Sequence, residues 1–334
     1  MDSAQSTVPF KRKYQFMTLT RTIRIATRSS PLAVWQAETV KQRLEHAGHH
    51  CELVLIESSG DIELTQPLYA MGISGVFTKQ LDIALLNNQA DIAVHSLKDV
   101  PTVMADGLCI AAVIERGAHE DVVIVKNKAL LDDVNATATI ATSSLRRRAQ
   151  WLAKYPNHTV VPIRGNVQTR LRKFAEDENM AAVIFAKAGL ERLNLLTDNT
   201  VTLDWMLPAP SQGIVGIACL ENNLEIKNIL SQINNETAYK AGFIERQFLN
   251  TLMGGCSVPV SALAIIEENE KFRFRGAIHG FDGKNKFEVD ELIPLDAWET
   301  AGKEQANKLL AQQGATVLMD TIRNTKWNNE GTVN

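Results

Sequence analysis

The sequence predicts an α/β protein whose last third folds as a smaller α+β domain. From Thr22 onward, short β-rich runs alternate with helical runs, an order typical of parallel α/β layers. After residue 233, several strand-like runs lie together beside helices, which favours a separate α+β unit. The chain has 334 residues, and at roughly 100–200 residues per domain this length agrees with two or three domains.

Each predicted element follows from residue periodicity and from the residues that cap or interrupt it. The first strand, over residues 24–27, precedes Ser29, Ser30 and Pro31, a helix start with hydroxyl caps and a proline in the first turn. Gly48 then ends this helix. Further strands are predicted over 51–58, 91–96, 121–126, 139–143, 159–164, 181–186 and 214–221, with helices over 32–47, 77–89, 144–155 and 166–178. The C-terminal third contains predicted helices over 238–252 and 301–313 and predicted strands over 260–268, 271–279 and 284–292.

The order of these elements also predicts where one domain ends and the next begins. Residues 207–213 contain two prolines and a glycine, and we expect the chain to return there to the first domain. The predicted organisation is a flexible tail over 1–20, a first α/β lobe over 21–115 and 214–233, a second lobe over 116–213 and a third domain over 234–330.

Composition and charge narrow the class of protein. The formal net charge is −3 at pH 7, so no global positive field attracts nucleic acid or a membrane. No apolar run reaches the roughly eighteen residues that a membrane span needs. Cys51, Cys109, Cys219 and Cys256 lie far apart and outside zinc-ligand spacing, which predicts reduced thiols, no metal site and a cytoplasmic protein. Nothing in the pattern requires an oligomer, so a monomer is expected.

Arginines recur where predicted strands end and helices begin, at positions 28, 146–148, 164 and 170. Basic residues in the first turn of a helix oppose the helix dipole, so such a group is unfavourable unless an anion joins it. Because successive helical side chains point about 100° apart, we expect Arg146 and Arg147 to face a ligand and Arg148 to point outward. Any one of these arginines could be solvated or salt-bridged. Together they predict a polyanion site that suits carboxylates, with phosphates as the alternative.

Two further segments contain residues suited to catalysis. In HSLKDVPT, residues 95–102, Asp99 could stabilise a cationic intermediate or move a proton while Lys98 holds a carboxylate; an ordinary surface pair is the alternative. His95 is expected to pack or form hydrogen bonds beneath the site. In GGCSVP, residues 254–259, two glycines present Cys256 on a turn, where a thiolate could carry a covalent adduct. A buried, unreactive cysteine is the other reading.

Taken together, these segments resemble the hydroxymethylbilane synthase (porphobilinogen deaminase) family. The resemblance covers most of the chain from about residue 24 to 259. Its matching segments are RIATRSSPLAVWQA, GDIELTQPL, ADIAVHSLKDVPT, ATSSLRRRAQ, IRGNVQTRL, AGLERL, PAPSQGIVGIACL and ERQFLNTLMGGCSVP. It implies two lobes like those of type II periplasmic binding proteins, with a cleft between them and a third domain that carries the cysteine. It also implies a transferase that adds four porphobilinogen units, with loss of ammonia, to a dipyrromethane held by a thioether at Cys256, and then releases linear hydroxymethylbilane.

The resemblance also implies roles for individual residues. Asp99 matches a catalytic aspartate that contacts pyrrole nitrogens, assisted by Lys98. Residues implied at the cofactor are Ser96, Lys98, Asp99, Thr142, Ser143, Ser144, Arg146, Arg147, Arg170, Gly255 and Cys256. Residues implied at the substrate are Arg24, Arg28, Ser30, Arg164, Arg170, Arg192 and Gln212. The chain departs from the family in the loop over 58–75, which carries fewer cations than is usual.

Two other functions are compatible with an arginine-lined cleft. One is a non-catalytic binding protein for an organic anion on the same scaffold, and the other is an enzyme that acts on a phosphorylated ligand. A simple binder requires neither a presented thiol nor a carboxylate among the cations, so Asp99 and Cys256 distinguish it from the transferase. The phosphate hypothesis does not explain the Gly-Gly-Cys turn.

Overall fold

A computed structural model describes residues 21–57, 78–252, 258–267 and 271–325. The predicted tail, the loop over 58–75 and the turn with Gly255 and Cys256 lie outside these ranges. Within them the strands are β1 (Ile23–Arg28), β2 (Cys51–Ile56), β3 (Ile92–Ser96), β4 (Leu108–Val113), β5 (Asp121–Val125), β6 (Thr139–Ala141), β7 (Thr159–Val161), β8 (Met180–Ala186), β9 (Thr200–Thr202), β10 (Val215–Leu220), β11 (Val260–Glu267), β12 (Lys271–His279) and β13 (Lys286–Pro294). The helices are α1 (Pro31–His46), α2 (Lys79–Leu86), α3 (Leu145–Lys154), α4 (Val167–Glu176), α5 (Lys187–Arg192), α6 (Leu224–Ser231), α7 (Glu236–Leu252), α8 (Trp298–Leu310) and α9 (Ala315–Asn324).

The first two sheets have the same topology. The first has the strand order β2-β1-β3-β10-β4 and the second has the order β7-β6-β8-β5-β9. In each sheet the first three strands are parallel and the fourth is antiparallel to them. The fourth strand is β10 in the first sheet and β5 in the second, and each is the first strand that the chain forms after it crosses from the other lobe. Each lobe is therefore completed by a strand at one of the two crossings of the chain.

The crossings between the lobes lie side by side. The backbone NH of Gly117 in the outgoing segment donates to the carbonyl of Gly213 in the returning one at 3.1 Å. Gly213 has a φ of 88°, and a Cβ added there would lie 2.7 Å from the Gly117 carbonyl oxygen. Only glycine allows both the left-handed conformation and this close approach. The glycine in the 207–213 segment is thus required by the pairing of the two crossings.

The third domain packs helices against an antiparallel sheet of order β11-β12-β13. Phe248 on α7 has no exposed surface and packs against Phe274 of β12, with ring centroids 5.1 Å apart. Helices α8 and α9 add buried residues to the same core. The predicted class, two α/β lobes with a small α+β C-terminal domain, is confirmed.

The predicted parallel layers are present, and each lobe also contains antiparallel strands at its crossing that the sequence did not predict. Strands β4 and β9 and helices α5, α6 and α9 were also not predicted from the sequence. β9 has three residues and α5 has six, so neither is long enough to show a clear hydrophobic period. No helix in the described ranges has the length and apolar character needed to cross a bilayer.

A buried ion pair joins the third domain to the crossings. Glu245 of α7 has no exposed surface and accepts two hydrogen bonds from the Arg116 guanidinium, at 2.8 and 2.7 Å. The same carboxylate accepts from the backbone NH groups of Ser211 and Ala264, at 2.5 and 2.6 Å. One side chain therefore fixes α7, strand β11 and both crossings relative to one another.

We expect Glu245→Ala to lower the free energy of unfolding by about 3–5 kcal/mol, because it leaves Arg116 as an uncompensated buried charge. The exposed Glu236 on the same helix pairs with Lys240, and Glu236→Ala should leave stability unchanged. Urea unfolding followed by circular dichroism measures both variants. Equal stabilities for the two would contradict the assigned role of Glu245.

Candidate functional site

The carboxyl ends of the parallel strands in both lobes meet at the crossings. β1 and β3 are parallel and end at Arg28 and Ser96, and β10 returns beside Ser96 at Val215. In the second lobe β6 and β8 are parallel, and β5 begins at Asp121 opposite the end of β8. The residues that follow these strand ends therefore share a groove between the lobes, the position where open α/β sheets bind ligands.

A chain of hydrogen bonds crosses this groove from one lobe to the other. Lys98 Nζ in the first lobe donates to Gln212 Oε1 at 3.2 Å. Gln212 Nε2 donates to Asp121 Oδ1 at 3.0 Å and to the carbonyl of His119 at 2.8 Å. Gln212 is buried, so its amide is used to join the two lobes. The structure thus places Gln212 in the groove but gives each side of its amide a protein partner.

Asp121 is the negative centre of the second lobe. Arg146 Nη1 donates to its Oδ2 at 2.7 Å, and Arg147 donates to its Oδ1 through Nε and Nη2 at 3.0 and 2.7 Å. The carboxylate is fully buried. Burial alone would raise the pKa of Asp121, but the charges of Arg146 and Arg147 lower it below its ordinary value. Asp121 therefore remains ionised at neutral pH and balances one of the two arginine charges.

The sequence motif around these arginines explains their direction. Ser144 caps α3 and its Oγ accepts from the backbone NH of Arg147 at 3.4 Å. Arg146 and Arg147 are buried, whereas Arg148 is turned so that its Nη1 donates to the carbonyl of Val160 at 3.0 Å. Thr142 Oγ1 accepts from the backbone NH of Ser144 at 3.2 Å. The hydroxyls at this helix start hold the backbone of the turn that presents the arginines.

A second pair of arginines follows β7. Gly165 has a φ of 119°, and a Cβ there would lie 2.6 Å from Thr169 Cγ2, so the turn between Arg164 and α4 requires glycine. Arg164 is buried. Ser143 joins this turn to the first one, because its Oγ donates to the Ile163 carbonyl at 2.8 Å and accepts from the Ile163 NH at 2.9 Å. Both helix starts of the second lobe are thereby fixed relative to each other.

Arg170 lies in an unusually positive environment. Its guanidinium carbon is 5.2 Å from the centre of the Phe185 ring, and its Nε is buried without a hydrogen-bond partner in the described part of the chain. Burial, together with the charges of Arg147 and Arg164, lowers the pKa of Arg170 to about 10, against the opposing effect of Asp99. An anion bound near Arg170 would relieve both the unpaired donor and the repulsion.

Lys98 and Asp99 lie on a 3-10 helical turn, Leu97–Asp99, directly after β3. Burial lowers the pKa of Lys98 to about 8; Arg147 and Arg146 lower it too, while Asp99 and Asp121 act in the opposite direction. The Asp99 side chain is exposed. Asp99 therefore ends this turn at the surface of the groove.

The third domain holds this turn from behind. Arg246 of α7 donates through Nη1 to the carbonyl of Val100 at 2.8 Å and through Nη2 to the carbonyl of Pro101 at 2.6 Å. Thr102 Oγ1 also donates to Asn250 Oδ1 near the end of α7, at 3.1 Å. These bonds tie the turn that carries Lys98 and Asp99 to the helix that leads toward Cys256.

The remaining first-lobe residues surround the end of β3. His95 is buried, and burial together with the charge of Arg28 lowers its pKa to about 4, so it is neutral at pH 7. Ser96 Oγ lies 2.8 Å from Gln36 Nε2, which donates to it from α1. Ser30 occupies the cap position of α1 beside Arg28, and its side chain makes no capping hydrogen bond.

Arg192 connects the two lobes at the groove, whereas Arg24 lies at the opposite edge of the first sheet. Arg192 Nη2 donates to the carbonyl of Gly213 at 2.7 Å, and its guanidinium stacks on Trp35 of the first lobe at 5.3 Å from the ring centre. Arg24 pairs with Asp91, at 3.1 Å from Nε to Oδ2. It is the second residue of β1, so it lies at the amino edge of the sheet, opposite the groove. The structure does not bring Arg24 to the other candidate residues.

Asp121, Arg116 and Glu245 were not recognised in the sequence. Asp121 was assigned only as the start of a strand, yet it determines the directions of Arg146 and Arg147. The signal that could have revealed it is an acidic residue at the first position of an otherwise apolar run, Asp121–Val125, since a buried carboxylate needs a cationic partner. Arg116 and Glu245 are 129 residues apart, and no local pattern joins them.

These side chains suit a group with several carboxylates. Lys98, Arg146, Arg147, Arg164 and Arg170 supply five cations within the described groove, against Asp99 and Asp121. The buried Nε atoms of Arg146 and Arg170, which have no hydrogen-bond partner within the described ranges, are donors of the kind that carboxylates accept. The residues present therefore fit the polycarboxylated dipyrromethane that the family resemblance implies.

Comparison with known proteins agrees with this fit. A family model described as "Porphobilinogen deaminase, dipyromethane cofactor binding domain" matches residues 23–228, and one described as "Porphobilinogen deaminase, C-terminal domain" matches residues 239–311. A probable porphobilinogen deaminase of Methanocaldococcus jannaschii is 43% identical over 279 residues, which cover 81% of this chain and 94% of that protein.

Two further relatives extend the match to a bacterium and a plant. The porphobilinogen deaminase of Syntrophomonas wolfei is 40% identical over 90% of this chain and 99% of its own length. The chloroplastic porphobilinogen deaminase of Oryza sativa is 39% identical over 87% of this chain and 84% of its own. Because the matches run through both lobes and into the third domain, the chain belongs to the porphobilinogen deaminase family.

Proposed function

We propose that this chain is a transferase that joins four porphobilinogen units, each with loss of ammonia, onto a dipyrromethane bound through a thioether at Cys256, and then releases hydroxymethylbilane. The observation that carries the proposal is the groove itself. Cations from both lobes converge there around one buried carboxylate, and Asp99 lies at its surface beside Lys98. A polycarboxylate that gains positive charge as it reacts requires both features.

The cations bind the side-arm carboxylates of the substrate and of the growing chain. Arg146 and Arg147 share one carboxylate, Asp121, so together they retain one unit of positive charge for a ligand. Arg164, Arg170 and Arg28 extend the positive surface on either side. Guanidinium groups suit this role because each presents two parallel N–H donors to a carboxylate. Ser30, Ser96, Thr142, Ser143 and Ser144 position the backbone and hydroxyls at the same strand ends.

Asp99 stabilises the positive charge of the substrate. Porphobilinogen loses its amine when the C–N bond of the aminomethyl arm breaks and ammonia leaves with the bonding pair, which leaves a methylene conjugated with the pyrrole as a delocalised cation. A new C–C bond forms at that methylene, and the acceptor ring carbon loses its proton. A carboxylate close to the ring nitrogen lowers the energy of this cation as it develops. Lys98 is the neighbouring residue, and it binds a side-arm carboxylate of the same pyrrole so that the ring lies beside Asp99.

The dipyrromethane, when bound, supplies the pyrrole carbon to which the first unit is added. Cys256 is four residues beyond Leu252, the last residue of α7, and a chain of four residues spans at most about 14 Å. The same end of α7 is tied to the loop after Asp99 through Asn250 and Thr102. This reach is compatible with an attachment at Cys256 that leads into the groove. The proposed roles of Gly255 and Cys256 rest on the resemblance and on this distance.

Arg192 and Gln212 are proposed to act by joining the lobes at the groove, since each already has protein partners there. Arg24 is left out of the proposal because it lies at the opposite edge of its sheet. A cytoplasmic, monomeric protein remains part of the proposal; the free thiols of Cys51, Cys109 and Cys219 suit a reducing compartment.

We expect the intact mass of the purified protein to exceed the mass of the chain by one dipyrromethane. Cys256→Ser should have the mass of the bare chain and no activity, because no other thiol is placed to carry the adduct. Cys51→Ser is the matched control and should keep both adduct and activity. Active protein with unmodified Cys256 would overturn the proposed attachment, and an unmodified, inactive protein that binds organic anions would favour a binding protein.

We expect Asp99→Asn to lower kcat by about 10²–10³-fold, because it removes a charge that stabilises the transition state. The adduct should still form at least partly. Asp106→Asn, an exposed aspartate in the same lobe, should leave kcat unchanged. Turnover assays and intact mass on the same preparations test this, and wild-type kcat in Asp99→Asn would remove Asp99 from the mechanism.

We expect kcat/KM for porphobilinogen to fall as the pH rises through about 8, since Lys98 is charged below the lowered pKa and neutral above it. Lys98→Arg keeps its charge over this range and should show no fall, with a difference from wild type of about tenfold at high pH, the size of one charged hydrogen bond. The exposed Lys126→Arg serves as the control. Identical profiles for wild type and Lys98→Arg would show that another group titrates.

A further inference from the structure

Two of the cysteines face each other on neighbouring strands. Cys109 of β4 and Cys219 of β10 are direct partners in the antiparallel register of the first lobe. Facing residues on antiparallel strands have Cα atoms about 4.5–5.5 Å apart, and a disulfide requires about 4.4–6.8 Å. The register shifts between Ile217 and Ala218, next to this pair. A bulge at that point gives the strand local freedom to adjust.

The two thiols differ in access and in acidity. Cys219 has no exposed surface, whereas Cys109 is half-buried. A hydrogen bond from the Cys219 thiol, together with the charge of Lys227, lowers the pKa of Cys109 to about 7 against the effects of burial and Glu221; the same hydrogen bond and burial raise the pKa of Cys219. Cys109 is thus the accessible thiolate and Cys219 the neighbouring thiol.

The pair also lies at a distinctive place in the topology. β4 is the last strand of the first lobe before the chain leaves for the second, and β10 is the first strand after it returns. A covalent link between Cys109 and Cys219 would close a ring that contains the entire second sheet. Because Cys219 lies near the carboxyl end of antiparallel β10, the link would lie at the edge of the sheet opposite the groove.

We propose that Cys109 and Cys219 form a reversible cross-strand disulfide when the protein meets a peroxide. The Cys109 thiol first releases its proton to solvent, the thiolate attacks one peroxide oxygen and the O–O bond breaks; the hydroxide that leaves takes up a proton from solvent, so a sulfenic acid and one molecule of water result. The Cys219 sulfur then attacks the Cys109 sulfur, the S–O bond breaks, and the thiol proton leaves with the hydroxide as a second water. Two thiols are oxidised and one peroxide is reduced, so the step balances.

The link is reversible for a geometric reason. Facing Cβ atoms lie about 4.5–5.5 Å apart, while those of a disulfide lie about 3.5–4.5 Å apart. Closing the link draws such facing strands together by up to about 1 Å, and strained disulfides are the readily reduced ones. The inference does not rest on the proposed function, because neither cysteine touches the groove.

Cys51 provides a control within the same sheet. It lies on β2, at the far side of the order β2-β1-β3-β10-β4. Four strand spacings of about 4.8 Å separate β2 from β4, so Cys51 cannot reach the pair. Burial raises the pKa of Cys51 to about 11, which leaves it as the thiol at neutral pH and slow to react.

The experiment treats the reduced, purified full-length protein with a small excess of hydrogen peroxide at pH 7. The remaining thiols are then alkylated, and intact mass and non-reducing peptide mapping are measured. We expect loss of two hydrogens, a linked peptide pair that contains Cys109 and Cys219, full reversal by dithiothreitol, and an upward shift in Tm with activity retained. Cys51→Ser should behave like wild type, and Cys109→Ser should form no link.

Three outcomes would overturn the proposal. One is a thiol pair that stays reduced under these conditions, which would make it a packing contact of the core. Another is a sulfinic acid that accumulates on Cys109 without a link, and the third is a disulfide that involves Cys51 or Cys256 instead. Mapping of the wild-type protein decides among these, so the test stands even if Cys219→Ala does not fold.

Discussion

The organisation of the groove depends on one buried carboxylate shared by two arginines. Asp121 stays ionised because Arg146 and Arg147 both bind it, and the pair retains one positive charge for an anion. This explains how a chain with a formal net charge of −3 can hold a polyanion. The positive potential is local, built at two helix starts, and does not need a basic protein surface.

That charge balance extends to the other lobe and to the third domain. Gln212 connects Asp121 to Lys98, so the position of the lysine depends on the second lobe. Two neighbouring residues on α7 connect the third domain to the groove. Arg246 binds the loop that follows the Lys98–Asp99 turn, and Glu245 binds the crossings. The third domain thus supports the groove from behind as well as supplying the cysteine proposed for attachment. Movement of the lobes would have to keep or exchange these bonds.

The four cysteines show how strongly environment determines the chemistry of one residue type. Cys51 lies on an edge strand and its thiol has a raised pKa, while Cys109 and Cys219 face each other on neighbouring strands of the first lobe, at the edge of the sheet opposite the groove. Cys256 follows two glycines at the end of α7. The sequence shows these cysteines far apart in the chain and gives no sign that Cys109 and Cys219 are neighbours in space.

Local patterns in the sequence determined the elements and the chemical character of the groove. Ser144 with the following arginines, Arg164-Gly165-Asn166 and the Lys98-Asp99 turn are short motifs whose caps, φ angles and side chains act within a few residues, so they can be interpreted without the fold. Arg24 was expected near the substrate because its motif matches the family. The direction of β1 instead puts Arg24 at the amino edge of the sheet, opposite the groove.

Tertiary structure decided which charges neutralise one another. The partners in three pairs lie far apart in the sequence. Asp121 and Arg147 are 26 residues apart, and Arg116 and Glu245 are 129 residues apart. Cys109 and Cys219 are separated by the whole second sheet. Asp121 and Arg147 meet because the fold of the second lobe brings their segments together, whereas the other two pairs meet because the chain crosses twice between the lobes. The free energy of a buried ion pair or a facing thiol pair depends on distance in space and on exclusion of water, and neither quantity is encoded in local sequence spacing.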